Sequence, residues 1–486
     1  MKKLLGLIVT SFTFSLVLSS AFGSAVSVNA APLETLNVYN WEDYIYESDG
    51  SVDSEEDVII QFEQYMANKG RIVKVNYETF STNEDMYNQY QLGKGNYDVI
   101  APSEYMILRM IREGMLQQLD YSKLPNYVQY ASPYLQNKLS EVGVGLYAAG
   151  YMWGTLGIVY NPSAVKDEAK MHEDMKSWAS LWDPAYKGLV SIKDSMRDTY
   201  LITLAYIYQE ELLELKSRYE TSNITSSEYN EAISEILNRT DDETLVKVAI
   251  ALDELRANFF GLEVDSGKND MVTGKIAMNT AWSGDAVYAM DTAEEETDTL
   301  LYFSNPLEGG NIWFDGWVIP KNAKNPDLAH EFINFISHPD IAVLNMDYIG
   351  YTPAIAGEAI LEQTKLWYEV EVITKDSHLV DLTYFFAGTV SEGVEMSFYS
   401  DYVGRQLSAQ YPSEEEITRC VIMKDFGEKD DDVIALWTSF KAQNLALWHI
   451  IVIIIAMLML VAYLVFKAVK RRRSARHSRR AKAKLT

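Results

Sequence analysis

The sequence predicts an α/β protein built as two lobes around a hinge. Three observations carry this expectation. Between Leu36 and Glu113 short apolar strands alternate with helical stretches, a β-α-β-α-β rhythm that means a parallel sheet with flanking helices. The chain has 486 residues, enough for two or more domains at about 100–200 residues each. Acids and indoles recur at predicted strand ends in both halves, and in such sheets ligands sit at the carboxyl ends of strands.

In chain order, Leu36-Asn37-Val38-Tyr39 is a short alternating strand, and Asn40-Trp41-Glu42-Asp43-Tyr44-Ile45 reads as a loop entering a helix. Val58 to Asn68 has helical spacing of Ile59, Ile60, Phe62 and Met66. Ile72 to Tyr77 is a second strand, Asn83 to Leu92 a helix, and Tyr97 to Ala101 a third strand. That strand ends at Pro102-Ser103-Glu104-Tyr105, where a helix begins. Trp41, Asp43, Ser103 and Tyr105 therefore all fall at strand ends. Gly150 to Gly154 leads into Leu156 to Pro162, a crossover strand into a second lobe. Leu189 to Ile192 is another strand, followed by Asp194-Ser195-Met196-Arg197-Asp198 at the opening of a long helix. Ile207 to Arg256 is mostly charged helical sequence. Gly274 to Asn279 is a strand ending at Trp282-Ser283-Gly284-Asp285, and Pro326 to Asn345 is a helix before Tyr351-Thr352-Pro353.

Trp313-Phe314-Asp315-Gly316-Trp317 is the stretch with the most pointed chemistry. In an extended chain residues two apart share a face, so Trp313 and Asp315 look into the same space. An indole face beside a carboxylate suits an organic ammonium ion. The same stretch also fits a Trp-rich core strand with Asp315 in a turn. Likewise Asp198 fits a helix N-cap acid, and Tyr105 and Tyr351 fit core aromatics.

Net charge is −27, which argues against nucleic acid and for cationic partners. One cysteine, Cys420, excludes an intrachain disulfide. The histidines form no metal spacing, and no HExxH pair or GxSxG elbow is present, so no metal or other cofactor and no enzyme activity is expected. Lys2-Lys3, the apolar run after them and Val28-Asn29-Ala30 read as a signal peptide over residues 1–30, an uncleaved anchor being the alternative. Ala446 to Phe466 lacks Asp, Glu, Lys and Arg, and its length of about 20 residues suits a bilayer. Trp448 and Tyr463 lie near its ends, and Lys470-Arg471-Arg472-Arg473 follows. A transmembrane helix over 446–466 with a basic cytoplasmic tail, 467–486, is expected, which places the protein in the cell membrane as a single-pass chain with its ligand-binding domain outside.

The segments Tyr39-Asn40-Trp41-Glu42-Asp43-Tyr44, Tyr97-Asp98-Val99-Ile100-Ala101-Pro102-Ser103, Trp282-Ser283-Gly284-Asp285 and Trp313-Phe314-Asp315, in this order, resemble the polyamine-binding proteins of bacterial ABC importers, the spermidine/putrescine type. The resemblance runs from about Leu36 to Pro353 and more weakly to Lys441. It implies the type II periplasmic-binding fold, with lobe 1 at 34–155 and 314–358 and lobe 2 at 156–313 and 359–441. It also implies a polyamine ligand and ABC permease and ATPase partners. By resemblance Trp41 and Tyr44 stack on the ligand, Asp43 takes an ammonium group, and Ser103, Tyr105 and Trp282 line the site. Asp285 matches an acid of putrescine-type members, Trp313 and Asp315 the paired indole and carboxylate at the hinge, and Tyr351 an aromatic before a proline. Spermidine-type members carry two acids at the positions of Ser195 and Asp198, and here only Asp198 is acidic. The physics agrees: desolvated ammonium groups need charged acceptors, and the methylenes between them need flat apolar walls. Two other functions fit the same acids and indoles, a membrane-anchored polyamine sensor and a surface glycoside hydrolase working with two of the carboxylates.

Overall fold

The computed structural model describes residues 32–48, 57–93, 95–370, 372–391, 394–399 and 402–442, with 451–452, 454–461, 463 and 467. Its strands are β1 (Leu33–Trp41), β2 (Ile72–Phe80), β3 (Val99–Ile100), β4 (Leu116–Gln117), β5 (Ala148–Tyr160), β6 (Val190–Lys193) and β7 (Gly261–Glu263). They continue with β8 (Met278–Trp282), β9 (Tyr302–Ser304), β10 (Gly310–Pro320), β11 (Thr352–Pro353), β12 (Ser377–Asp381), β13 (Glu395–Tyr399) and β14 (Cys420–Val421). Twelve of them form one sheet whose main path runs β2-β1-β3-β10-β5-β8-β6-β7. The outer strands are parallel on both flanks: β1 pairs with β2 and β3, and β6 with β7 and β8. At the centre β10 and β5 run antiparallel. Both are buried along their whole length, as strands covered on two faces require.

Two large apolar cores flank this centre. Val38, Phe62, Met110 and Trp317 belong to the first, and Ile192, Leu204, Leu252 and Met278 to the second. β5 passes between them, with Trp153 in the first core and Leu156 in the second. Of the stretch 359–441, Ile360, Phe385 and Tyr411 pack into the first core, while Met423 and Phe440 pack into the second. Tyr105 and Trp282 touch both cores, which puts them at the seam.

Three expectations are corrected. Among the described residues the loop after β1 does not enter a helix directly; residues 42–48 turn without one, and the next described helix is Val58–Asn68, capped by the Asp57 side chain. The helix expected over Pro326–Asn345 is two, Pro326–Ile336 and Pro339–Ile349, because Pro339 lacks the N–H that a continuous helix would need. The C-terminal transmembrane helix is not found: among the described residues no helix is long and apolar enough to cross a membrane. The single-pass membrane placement drawn from that helix has no support among the described residues. The rest of 446–466, the signal peptide expected at 1–30 and tail residues 468–486 lie outside the described residues.

Candidate functional site

The seam between the cores holds a cavity of about 160 Å³. All eleven residues singled out in the sequence line it: Trp41, Asp43, Tyr44, Ser103, Tyr105, Asp198, Trp282, Asp285, Trp313, Asp315 and Tyr351. Its other carboxylates are Glu42, Glu84, Glu104, Asp194 and Asp265, set against a single lining lysine, Lys268. A wall with that balance favours a cation.

Asp315 is the centre of the first-lobe wall. The register of β10 against β5 shifts between Phe314 and Gly316, and this bulge turns Asp315 out of the ladder toward Ser103. Ser103 Oγ donates to Asp315 Oδ1 at 2.6 Å, and Tyr44 Oη donates to Oδ2 at 2.8 Å. Asn83 Nδ2 in turn donates to Ser103 Oγ (3.0 Å) and to Tyr105 Oη (3.1 Å), which fixes the pair. Asp315 is 5% exposed and, among the described residues, meets hydroxyls but no cation. Burial pushes its carboxyl up to about 7; the bonds from Ser103 and Tyr44 oppose the rise, and Asp198 adds to it.

Around it stand aromatic rings. Tyr351 meets Tyr44 edge-on with centroids 5.2 Å apart and Trp313 at 5.5 Å. Tyr351 can lie there because residue 284 is glycine: a Cβ would come to 2.1 Å from its ring. Trp41 packs on Phe80 at 4.6 Å. The buried Nε1 atoms of Trp41 and Trp313 have no partner among the described residues. Asp43 sits at the exposed rim with φ 51°, a left-handed conformation that short polar side chains tolerate.

The second lobe supplies Asp198 from the first turn of the helix Met196–Ile207, whose N-cap is Ser195, not Asp198. Trp282 Nε1 donates to Asp198 Oδ2 at 3.1 Å, while Oδ1 is buried without a partner. Burial raises this carboxyl despite the bond from Trp282 and the opposing charges of Arg197 and Lys193. Asp285 is different. It accepts from Lys193 Nζ at 2.7 Å and from Tyr351 Oη at 2.8 Å, and Lys268 lies 3.7 Å away. Burial works against its ionisation, but the two lysines outweigh burial and hold it below the usual range.

Two residues with chemistry here escaped the sequence reading. Glu104 is wholly buried; its Oε2 accepts from Phe314 N at 3.2 Å and its Oε1 has no partner. Burial drives this carboxyl well above its usual range. Its signal was its place between Ser103 and Tyr105. Lys193 is also wholly buried, and the signal was a cation closing an apolar strand.

The family of bacterial extracellular solute-binding proteins matches residues 61–370. The chain is 30% identical over 349 residues to the spermidine/putrescine-binding periplasmic protein of Escherichia coli K12, covering 71% of this chain and 85% of that one. Against the putrescine-binding periplasmic protein PotF of the same organism identity is 28% over 345 residues, covering 70% and 83%. Among solved structures it is similar to the spermidine/putrescine ABC transporter substrate-binding protein PotD of Streptococcus pneumoniae, with TM-score 0.54 and 26% identity, covering 84% of this chain and 99% of that one.

Proposed function

Because the chain belongs to the bacterial extracellular solute-binding proteins, and within them to the spermidine/putrescine type of ABC-transporter substrate-binding protein, we propose that it captures a linear polyamine in the cavity between its lobes and delivers it to an ABC permease on the outer side of the membrane. The chain itself carries out no chemistry in this reading. Asp315 supports it most directly. A carboxylate buried without a cation is unfavourable, and here the surroundings provide acceptor geometry and aromatic walls but no protein ammonium. A primary ammonium supplies the missing charge, and its methylenes gain from Trp41, Tyr44, Trp313 and Tyr351. The unpartnered Asp198 Oδ1 offers a second anchor across the seam. In this proposal Ser103 and Tyr105 set the carboxylates, Trp282 orients Asp198, and Asp43 draws cations to the rim.

The test is titration calorimetry of the purified protein with putrescine, spermidine, spermine, lysine and a panel of oligosaccharides. Binding of one or more polyamines in preference to lysine and sugars is the expected result. Heat with sugars and none with polyamines would return the cavity to the hydrolase reading.

A further inference from the structure

Directly behind the wall at the Asp285 end of the cavity lies an ammonium supplied by the chain. Lys193 closes β6, and its side chain is 0% exposed. Its Nζ donates to Asp285 Oδ2 at 2.7 Å and to the Val264 carbonyl at 2.7 Å, and Glu263 Oε1 lies 3.1 Å away. The same nitrogen sits over the Trp282 ring, 4.4 Å from its centroid. Two carboxylates, a carbonyl and an indole face are what any desolvated alkylammonium requires. Lys268 closes the rim beside it, 2.6 Å from Asp265 and 3.7 Å from Asp285. Among the described residues Asp315 accepts only from the Ser103 and Tyr44 hydroxyls, and Asp198 only from the Trp282 indole. The acids of the cavity thus fall into two kinds, one set neutralised from within and one awaiting a cation.

We propose that Lys193 is a specificity-determining residue, a built-in ammonium that fills the Trp282–Asp285 subsite, so that the cleft reads a ligand through Asp315 and Asp198 and discriminates against polyamines with a further ammonium group. This rests on the polyamine reading above. Under it, Trp282 and Asp285 shape the cavity without receiving ligand charge. A longer polyamine would have to place its extra ammonium against a lysine that is already there.

The experiment compares wild type with Lys193→Met and with Lys193→Met/Glu263→Gln, the second because the first leaves Glu263 as well as Asp285 without the Lys193 ammonium, whereas Asp285 keeps Lys268 in both. Affinities for putrescine, spermidine and spermine are measured by calorimetry, and melting temperatures are measured with and without each amine. The expected result is a spermine-to-putrescine affinity ratio at least about tenfold higher in the variant than in wild type, as the freed Asp285 takes the extra ammonium. Spermine should also raise the melting temperature of the variant more than that of wild type. A ratio within about twofold of wild type in a folded variant overturns the proposal while leaving the polyamine reading intact. So does failure of both variants to fold even in saturating spermine, which would make Lys193 a strut of the core. Wild-type protein that binds none of the three amines defeats the polyamine reading itself, and the proposal with it.

Discussion

Asp315 concentrates the cost and the use of this site in one side chain. Its carboxyl ionises near 7 because burial outweighs two good hydrogen bonds. Relative to an unfolded carboxyl near 3.9, the folded chain holds an extra proton between about pH 4 and 7. This contribution to unliganded stability is fully present below about pH 4 and is lost as pH rises through 7. Binding runs the other way, since a polyamine wants the carboxylate. Affinity should therefore rise from pH 6 to pH 8, by about tenfold at most for this one group, with proton release on binding at the lower pH. Calorimetry in buffers of different ionisation enthalpy measures both. Asp198 and Glu104 are raised by burial as well and push in the same direction. Asp315→Asn should weaken binding by about 2–5 kcal/mol, the usual cost of removing one partner of a desolvated charge pair. It should also flatten most of the pH profile. An Asp315→Asn affinity within about twofold of wild type would take Asp315 out of the site.

At the scale of elements, two backbone devices present these groups: the β10 bulge at Asp315 and the glycine at the start of the helix Ser283–Thr297. Gly284→Ala tests the second. Alanine gains roughly 0.5–1 kcal/mol over glycine in a helix. The added Cβ meets the buried Tyr351 ring at 2.1 Å, however, and overpacking costs about 1–3 kcal/mol. The clash should win, lowering the melting temperature and weakening polyamine binding as Tyr351 leaves Tyr44 and Trp313; an unchanged melting temperature would mean the ring has room to move. These devices also explain what the sequence did and did not disclose. Period-two spacing put Trp313 and Asp315 on one face, and strand ends gathered Trp41, Ser103, Tyr105 and Trp282, because both follow from local geometry. The pairing of Lys193 with Asp285 bridges 92 residues and depends on β6 lying beside β8, which no local pattern encodes. The state of Asp285 as an acid already neutralised was therefore invisible. The break at Pro339 was legible, since a proline two residues past Ser337 marks a new helix start, but the apolar periodicity on both sides masked it.

For the molecule as a whole, a cavity walled by two lobes must open to load and close to hold. The chain changes core at β5, at β10 and beside β14, and in the proposed function these neighbouring crossings serve as the hinge. Other contacts bridge the lobes. Arg109 and Arg112 lie on the helix Glu104–Arg112, which is rooted in the first core through Met106, Ile107 and Met110. Arg112 pairs with Asp425, and Asp430 lies 3.6 Å from Arg109 and 3.5 Å from Arg112. Phe426 and Val433, their neighbours in sequence, are rooted in the second core. These ion pairs are partly exposed, so each is worth only about 0–1 kcal/mol. That is too little to decide folding, but it is enough to bias an equilibrium between open and closed lobes by a few fold. The double variant Asp425→Asn/Asp430→Asn should therefore shift unfolding stability by less than about 1–2 kcal/mol. Without ligand it should scatter X-rays with a larger radius of gyration than wild type, and it should release bound polyamine a few-fold faster. High salt should reproduce part of the effect in wild type, since the Debye length shrinks from about 10 Å at 0.1 M to about 3 Å at 1 M, the span of these pairs. A variant that melts much earlier but releases ligand at the wild-type rate would assign these pairs to the fold and not to closure.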